Sequence, residues 1–466
     1  MFAAVKDSWA LLLGVMLLMV GNGMQGTLLG IRGQLEGIGT YEMSIVMTGY
    51  FAGFLIGSRS IPGLIGRVGH VRVFAALGSL ISAVLIAYAA APNWIAWSFM
   101  RVLIGFSFCG VYISAESWLN SSADKENRGQ LLAAYMIVQS IGIVSAQLML
   151  NVGDPSGYFL FVIPSILVSL AFTPILLSAG RAPDFSTETR MSFRRLWTVS
   201  PFGCVGIFLM GGIFSALFGM VSVWGTQAGL NVKEISLFVS AIYVGGLVAQ
   251  YPLGYLSDRL DRRQMVTVLT AIAAVAMFYL FIATPGFAVL LPMAALLGAI
   301  SNPVYSILVA YTNDFLDRAE MAAASAGLMF LYGIGSVAGP VVTGWMMETF
   351  GPQAFFLFIS VLFACLTAYG LYRMTQRAAP SSDDTGTFAV LSPTVTAYAV
   401  NYTLDAVTDD PDAEARAEAE AHDNLRAAEA ASGMALPLPA DPQEGDTPFE
   451  GAADPAYGTN TEERQG

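Results

Sequence analysis

Charged residues are scarce in this sequence: Asp, Glu, Lys and Arg make up 12% of its 466 residues. Soluble globular domains carry about 25%. This deficit, together with 55% apolar residues and a mean hydropathy of +0.61, excludes an ordinary soluble protein. The sequence therefore predicts an integral membrane protein whose few buried charges have specific roles.

Cysteine and histidine are also rare. The three cysteines form no CxxC pair, and two histidines are too few for a metal cluster, so we predict no disulfide, metal site or cofactor. The sequence contains no H-E-x-x-H, G-x-S-x-G or G-x-x-x-x-G-K-[ST] motif. These absences argue against an enzyme and against an ATP-driven pump, and nothing indicates a nucleic-acid partner.

The acidic balance comes from the last part of the chain. Residues 1–377 contain 19 Lys and Arg against 16 Asp and Glu, whereas residues 378–466 contain 3 against 18. The net charge of −12 therefore describes an acidic tail on a nearly neutral body. The tail has too few large apolar residues to offset the entropy of ordering. We predict that it is disordered and cytoplasmic.

Twelve apolar segments precede the tail, and none has the alternation of a β-strand. They predict an all-α membrane protein with twelve transmembrane helices in two pseudo-symmetric six-helix halves. The halves are residues 1–180 and 199–377, and residues 181–198 form a cytoplasmic linker. The segments are 9–30, 42–65, 71–91, 93–118, 129–150, 157–179, 199–227, 234–256, 264–284, 286–312, 320–347 and 353–374.

Basic residues divide unequally between the two sides of the predicted membrane. With a cytoplasmic N-terminus, 16 Lys and Arg fall inside, and only Arg32 and Lys233 fall outside. Cytoplasmic connections carry such an excess of basic residues. We therefore expect a multi-pass protein of the bacterial inner (plasma) membrane, in contact with its lipids, with both termini cytoplasmic.

Two strings recur at a spacing of about 192 residues. PGLIGRVGHVR at 62–72 is followed by GYLSDRLDRRQ at 254–264, and QSIGIVSAQ at 139–147 by YGIGSVAGP at 332–340. A repeat of six helices is common in secondary transporters, whose site lies near the membrane midplane between the repeats.

The segment Asn93–Glu116 places ionisable residues in an apolar helix. A guanidinium in hydrocarbon costs at least ~2.5 kcal/mol, so Arg101 is expected to face protein or water and to have a function. The alternative is a structural brace. At 100° per residue one stripe contains Arg101, Gly105, Phe108, Tyr112 and Glu116, with about 22 Å between its two charged ends.

The string GYLSDRLDRR resembles the G-x-L-x-D-R-x-x-R-R signature that follows the second span of each half in the major facilitator superfamily. The resemblance implies a latch for the outward-facing state. Its first-half copy has Gly66 in place of the acid. The alternative is that the basic residues only direct membrane insertion. The predicted gating residues are Glu116, Arg67, Arg72, Gly254, Asp258, Arg259, Arg262, Arg263 and Asp314.

Glu116 has two open interpretations. It either pairs with Arg67 or Arg72 at the cytoplasmic ends of the helices, which we favour, or carries protons.

Arg101-x-x-x-Gly105 resembles the fourth-helix motif of the same superfamily, where the arginine is associated with proton coupling or substrate charge. The strings at 50–58, 94–105 and 127–136 look like the YcaD-type branch of bacterial permeases. This resemblance covers about residues 9–374 and implies twelve helices and transport. The fifth-helix Gly-Pro motif of many drug/proton antiporters is absent.

The resemblance also implies that spans one, four, seven and ten line the cavity. Span seven would contribute its aligned Ser215, Gly219 and Ser222. The alternative for these polar groups is interhelical hydrogen bonding, worth ~0.6 kcal/mol each. The candidate substrate-binding residues are Asn22, Gln25, Arg101, Tyr112, Asn302, Tyr305 and Ser306. Interhelical roles are favoured for Tyr135, Gln139, Tyr243, Gln250 and Tyr332.

These features predict a secondary active transporter that moves a small molecule by alternating access, with proton coupling. Arg101 without a midplane carboxylate favours a neutral or anionic substrate. The alternative function is a transporter-like membrane receptor or scaffold that signals through the acidic tail.

Overall fold

The computed structural model describes residues 8–121, 128–177, 191–316 and 318–376, and its regular secondary structure there is helical. The predicted tail and residues 181–190 of the predicted linker lie outside the described residues. The helices are α1 Trp9–Leu35, α2 Thr40–Val68, α3 His70–Ala90, α4 Trp94–Ser121, α5 Arg128–Met149, α6 Phe159–Leu177, α7 Phe193–Val199, α8 Pro201–Gln227, α9 Val232–Ser257, α10 Arg262–Ala283, α11 Phe287–Asn313, α12 Arg318–Phe350 and α13 Ala354–Met374.

Ten of the described helices are long and apolar enough to cross a membrane: α1, α3, α4, α5 and α8–α13. Large apolar side chains also cover the outside of the bundle. Tyr251 is 80% exposed, Val275 71% and Phe99 65%. Such a surface suits lipid and would associate in water. The all-α membrane character predicted from the composition is therefore confirmed.

Polar caps mark where several helices begin. Asn231 and Glu234 form a capping box at the start of α9, with N–H···O distances of 2.9 and 3.0 Å. The Asp261 side chain accepts the backbone N–H of Arg263 at 2.9 Å at the start of α10. Each cap binds amide groups of the first helical turn, which have no partner within the helix. The short helix α7 begins within the predicted linker and was not predicted.

Two glycines allow close helix crossings at equivalent places in the sequence. A Cβ at Gly105 on α4 would collide with the Tyr50 carbonyl oxygen on α2, and a Cβ at Gly298 on α11 would collide with the Ile242 carbonyl oxygen on α9. The second crossing lies 192 to 193 residues after the first. The α2–α4 and α9–α11 contacts thus recur at the spacing of the repeated strings.

Hydrogen bonds connect α1–α6 to α8–α13 at the end of the bundle that contains the connection between α1 and α2. We call it the α1–α2 end. Gln227 Nε2 donates to Thr40 Oγ1, and the Tyr41 backbone N–H donates to Glu348 Oε2 at 3.2 Å. These contacts hold the two groups of helices together at this end.

Candidate functional site

A cavity of about 110 Å³ lies inside the bundle, and we call it the central cavity. One water molecule requires about 10–15 Å³, so the space can hold several waters or a small solute. Helices α1, α2, α4, α5, α8, α9 and α12 contribute to its wall. The lining residues are Met19, Asn22, Gly23, Gln25, Gly26, Thr27, Tyr50, Phe51, Phe54, Arg101, Tyr112, Ile143, Gln147, Leu217, Phe218, Val221, Val239, Tyr243 and Tyr332.

One hydrogen-bond network joins the predicted residues of α1 and α4. Arg101 Nη1 donates to Gln25 Oε1 at 2.7 Å, and Gln25 Nε2 donates to Asn22 Oδ1 at 3.2 Å. Asn22 Nδ2 donates to the hydroxyl of Tyr112 at 2.7 Å and to that of Tyr50 at 3.2 Å. Asn22, Gln25, Arg101 and Tyr112 therefore meet at the cavity wall, and Tyr50 was not predicted.

Arg101 is buried without an acidic partner. Its side chain is 3% exposed and forms no ion pair with a described residue. Nη2 lies 3.3 Å from the Met47 sulfur, a weak acceptor, and Cζ lies 5.2 Å from the centroid of the Tyr50 ring. Its Nε is buried and makes no hydrogen bond with a described residue, and the buried hydroxyl of Tyr88 lies near the guanidinium. Amide, sulfur and ring contacts, without a carboxylate, surround this positive charge.

Glu116 lies in a separate cluster. It is 1% exposed, and the Tyr135 hydroxyl donates to its Oε1 at 3.2 Å. The predicted pair with Arg67 or Arg72 does not form, because both arginines are exposed and neither makes an ion pair with a described residue. The α4 backbone directs Glu116 inward toward α5. Glu116, Arg67 and Arg72 all lie near helix ends, but this does not bring their charges together.

The three predicted residues of α11 are not among those that line the central cavity. Ser306 Oγ instead accepts a hydrogen bond from Gln250 Nε2 on α9 at 2.9 Å. The Tyr305 ring packs edge-on against Tyr332, with 5.5 Å between centroids, and Asn302 packs against Gly246. These groups form contacts between helices, which was the alternative interpretation.

Helix α8 presents a different face to the cavity from the one expected. Its residues Ala216–Met220 form a π-helical turn, where hydrogen bonds span five residues. Leu217, Phe218 and Val221 line the cavity. The predicted Ser215, Gly219 and Ser222 lie elsewhere. Ser222, for example, packs against Gly30 of α1.

Aromatic side chains form much of the cavity wall. Phe218 and Tyr243 stack with 5.4 Å between centroids and 25° between planes. Tyr243 and Tyr332 had been assigned interhelical roles, and Phe51, Phe54 and Phe218 were missed. Aromatic residues make up 12% of the sequence, and no spacing distinguishes those that line a cavity from those that fill a core.

A second cavity of about 350 Å³ adjoins the central one toward the opposite end of the bundle, and we call it the vestibule. Residues of α2, α4 and α12 line it, together with Met191 and Phe193 at the start of α7. Phe51, Phe54 and Tyr332 line both cavities. The two spaces therefore meet at an aromatic constriction.

The predicted latch residues form a buried ionic cluster where α9, α10 and α11 meet. Arg262 Nη1 lies 2.6 Å from Asp314 Oδ1, and Nη2 lies 3.1 Å from Asp258 Oδ1. Arg259 instead lies over the Tyr255 ring at 3.8 Å, and Arg263 Nη1 donates to the Arg373 carbonyl oxygen at 3.2 Å. Arg262 therefore joins the ends of α9, α10 and α11 by ionic contacts, and Arg263 Nη2 also lies 3.7 Å from Asp261 Oδ2. Gly254 lies one turn before Asp258.

Replacing Asp314 with asparagine is expected to cost about 3 kcal/mol of folding stability, since both partners of the Arg262–Asp314 pair are only 3% exposed. Asp258 is 35% exposed, so Asp258→Asn should cost about 1 kcal/mol or less. Thermal unfolding of the two purified variants measures the difference. Equal losses would contradict the assignment of Asp314 as the principal partner of Arg262.

Residues 11–233 and residues 203–406 each match the sequence profile of the Major Facilitator Superfamily. The chain belongs to this superfamily. It is therefore a multi-pass bacterial membrane transporter, and the resemblance inferred from its loop and fourth-helix motifs is confirmed.

Superfamily members of the YcaD type are similar over most of the chain. The uncharacterized MFS-type transporter YcaD of Escherichia coli O45:K1 is 25% identical over 363 residues, covering 75% of this chain and 91% of the relative. The uncharacterized MFS-type transporter Ent638_1421 of Enterobacter sp. strain 638 is 26% identical over 360 residues, with the same coverage. These relatives confirm the predicted resemblance to the YcaD-type branch.

Solved structures of other transporters share the fold. The nucleoside transporter NupG matches with a TM-score of 0.64 and 13% identity, covering 81% of this chain and 100% of NupG. A bacterial homologue of the human lysosomal transporter Spinster, crystallised in an inward-facing and unoccupied conformation, matches with a TM-score of 0.61 and 16% identity, covering 87% and 93%. At these identities the likeness concerns the fold alone.

Proposed function

We propose that the chain is a secondary active transporter that moves a small molecule across the bacterial inner membrane by alternating access. The observation that carries this proposal is the central cavity, which is covered at the α1–α2 end and adjoins the vestibule toward the other end. A site reached from one side at a time is what alternating access requires. The predicted network of Asn22, Gln25, Arg101 and Tyr112 is its proposed contact with cargo.

The proposal includes twelve spans in two halves, residues 1–180 and 199–377, joined by the linker 181–198. The equivalent crossings at Gly105 and Gly298 support this division. With the termini cytoplasmic, the vestibule faces the cytoplasm and the α1–α2 end faces outward. Such a conformation is inward-facing.

Proton coupling is part of the same proposal. Glu116 is a buried carboxyl group next to the Tyr135 hydroxyl, in the half that also contains Arg101. A carboxyl group in such a position within a membrane transporter is a candidate proton carrier. One solved structure with this fold, with a TM-score of 0.51, is the fucose:proton symporter FucP of Escherichia coli. The Asp258–Arg262–Asp314 cluster has the proposed gating role.

Cross-linking the α1–α2 end tests alternating access without a known substrate. Tyr41→Cys and Glu348→Cys, in a background without Cys109, Cys204 and Cys365, would be joined by a short bifunctional thiol reagent. A Thr27→Cys site in the central cavity reports access. Labelling of position 27 from the α1–α2 side is expected to slow at least about tenfold after cross-linking, because α2 and α12 must separate for the cavity to open at this end.

A matched control joins Arg32→Cys to Pro155→Cys. These positions are linked at the same end by a 3.0 Å hydrogen bond, but both belong to the first half. Their cross-link should leave labelling from that side unchanged. With a bis(methanethiosulfonate) reagent, which joins the cysteines through reducible disulfides, treatment with a reductant before labelling should restore the rate in the Tyr41–Glu348 variant. Labelling that is insensitive to both cross-links would overturn the alternating-access proposal. Thermal stabilisation by a metabolite panel then identifies solutes for exchange assays.

A further inference from the structure

The central cavity contains a positive charge that lacks a counter-ion. Among the described residues that line it, Arg101 is the one charged side chain. Its Nη2 contacts a sulfur, its Nε makes no hydrogen bond with a described residue, and no described carboxylate forms an ion pair with it. A buried charge is retained when it is paired or serves a ligand. The site is therefore complementary to one negative charge.

The polar groups beside Arg101 are largely occupied by one another. Gln25, Asn22 and Tyr112 form a chain of hydrogen bonds from the guanidinium to the tyrosine hydroxyl. A neutral polyhydroxylated substrate needs many free donors and acceptors. To use the groups beside Arg101 it would have to break this chain, although Gln147 Oε1 on the same wall has no partner among the described residues. A cation would meet Arg101 without a carboxylate to bind. A second negative charge would likewise find no partner on the described wall.

The remaining wall suits a flat apolar body. Aromatic rings stack face to face or edge to face with such a group, which adds to the burial of its surface. The stacked Phe218–Tyr243 pair offers ring faces from α8 and α9, and the other rings come from α2, α4 and α12. The wall therefore combines one guanidinium with rings contributed by both groups of helices.

We propose that the transported molecule is an organic monoanion with a planar apolar body, whose acid group binds Arg101 and whose body packs against Tyr50, Phe218 and Tyr243. This assignment rests on the proposed transport function and names the substrate class of its cavity. Carboxylate and guanidinium match in geometry, with two parallel hydrogen bonds available. Binding of the acid group would replace the weak contact between Nη2 and Met47.

Matched probes separate charge from shape. The purified full-length protein would be titrated with indole-3-acetate, indole-3-acetamide, tryptamine and acetate, with thermal unfolding as the readout. Ligands of the folded state raise the unfolding temperature. Indole-3-acetate is expected to bind at least about tenfold more tightly than the other three, because it alone supplies both features.

Three variants locate the binding. Arg101→Gln should reduce the affinity for indole-3-acetate to that for the amide. Phe218→Ala should weaken the binding of indole-3-acetate while the protein still prefers it to the amide. This variant remains informative if Arg101→Gln fails to fold. Arg194→Gln, which removes an exposed arginine of α7, should change nothing. The proposal would be overturned if the amide, the amine or acetate bound as tightly as indole-3-acetate, or if none of the four probes stabilised the protein.

Exchange in proteoliposomes distinguishes this proposal from the one on which it rests. An anion that binds through Arg101 but does not cross the membrane contradicts the transport function and leaves the binding site intact. Exchange of a neutral or cationic solute, without binding of the anion, contradicts the substrate class and leaves the transport function intact.

Discussion

An Arg101→Gln variant is expected to exchange solute at least about 100-fold more slowly than the unaltered protein, a loss of ~2.7 kcal/mol. Glutamine retains an amide that can donate to Gln25, but it removes the positive charge at the cavity wall and the contact with the Tyr50 ring. A hydrogen bond to a charged group contributes ~1.5–3 kcal/mol. The initial rate of exchange in proteoliposomes, with a solute found by the stabilisation screen, measures the effect.

The alternative role of Arg101 as a brace predicts a different pattern. If Arg101 only connects α4 to Gln25 of α1 and Met47 of α2, its loss lowers the unfolding temperature, and the folded fraction transports normally. The functional role predicts a folded protein with slow exchange and near-normal exchange in Arg194→Gln. Arg101→Lys keeps the charge without the planar fork and should be intermediate. Normal exchange in folded Arg101→Gln would contradict the assignment.

The part of the site that could be predicted from the sequence lies on regular helices. Arg101 and Tyr112 share a face of α4 because eleven residues complete about three turns at 100° per residue. Asn22 and Gln25 are one turn apart on α1, and their amides reach the same network. Local periodicity was sufficient here, because no irregular turn intervenes between the residues that meet.

The part that could not be predicted depends on irregular backbone or on neighbouring helices. Phe218 lies in the π-helical turn Ala216–Met220 and lines the cavity, and the sequence ALFGM contains no glycine–proline break that marks this turn. Glu116 faces Tyr135 because α5 packs beside it, whereas Arg67 and Arg72 extend to the surface. Helical position alone does not specify which neighbour a side chain contacts.

The close crossing of α2 and α4 should be intolerant of a single methyl group at Gly105. A Cβ there would collide with the backbone carbonyl oxygen of Tyr50, which cannot move without separating the helices. Overpacking of this kind costs about 1–3 kcal/mol. Separation of the helices would also move the Tyr50 ring from the Arg101 guanidinium. Gly105→Ala is therefore expected to lower the temperature at which the solubilised protein loses its monodisperse gel-filtration peak.

Two further alanine variants make this prediction specific. Gly298→Ala should have a similar effect, because its Cβ would meet the Ile242 carbonyl oxygen at the equivalent crossing of α9 and α11. Gly63→Ala lies in the same helix as Tyr50, but no atom of the described residues lies within 4 Å of its added Cβ. Alanine is favoured over glycine in helices by up to ~1 kcal/mol, so Gly63→Ala should be neutral or stabilising. A Gly105→Ala protein as stable as Gly63→Ala would show that the two helices are not held at this distance. A large loss at Gly105 with none at Gly298 would mean that the crossings are not equivalent, which would weaken the case for two repeated halves.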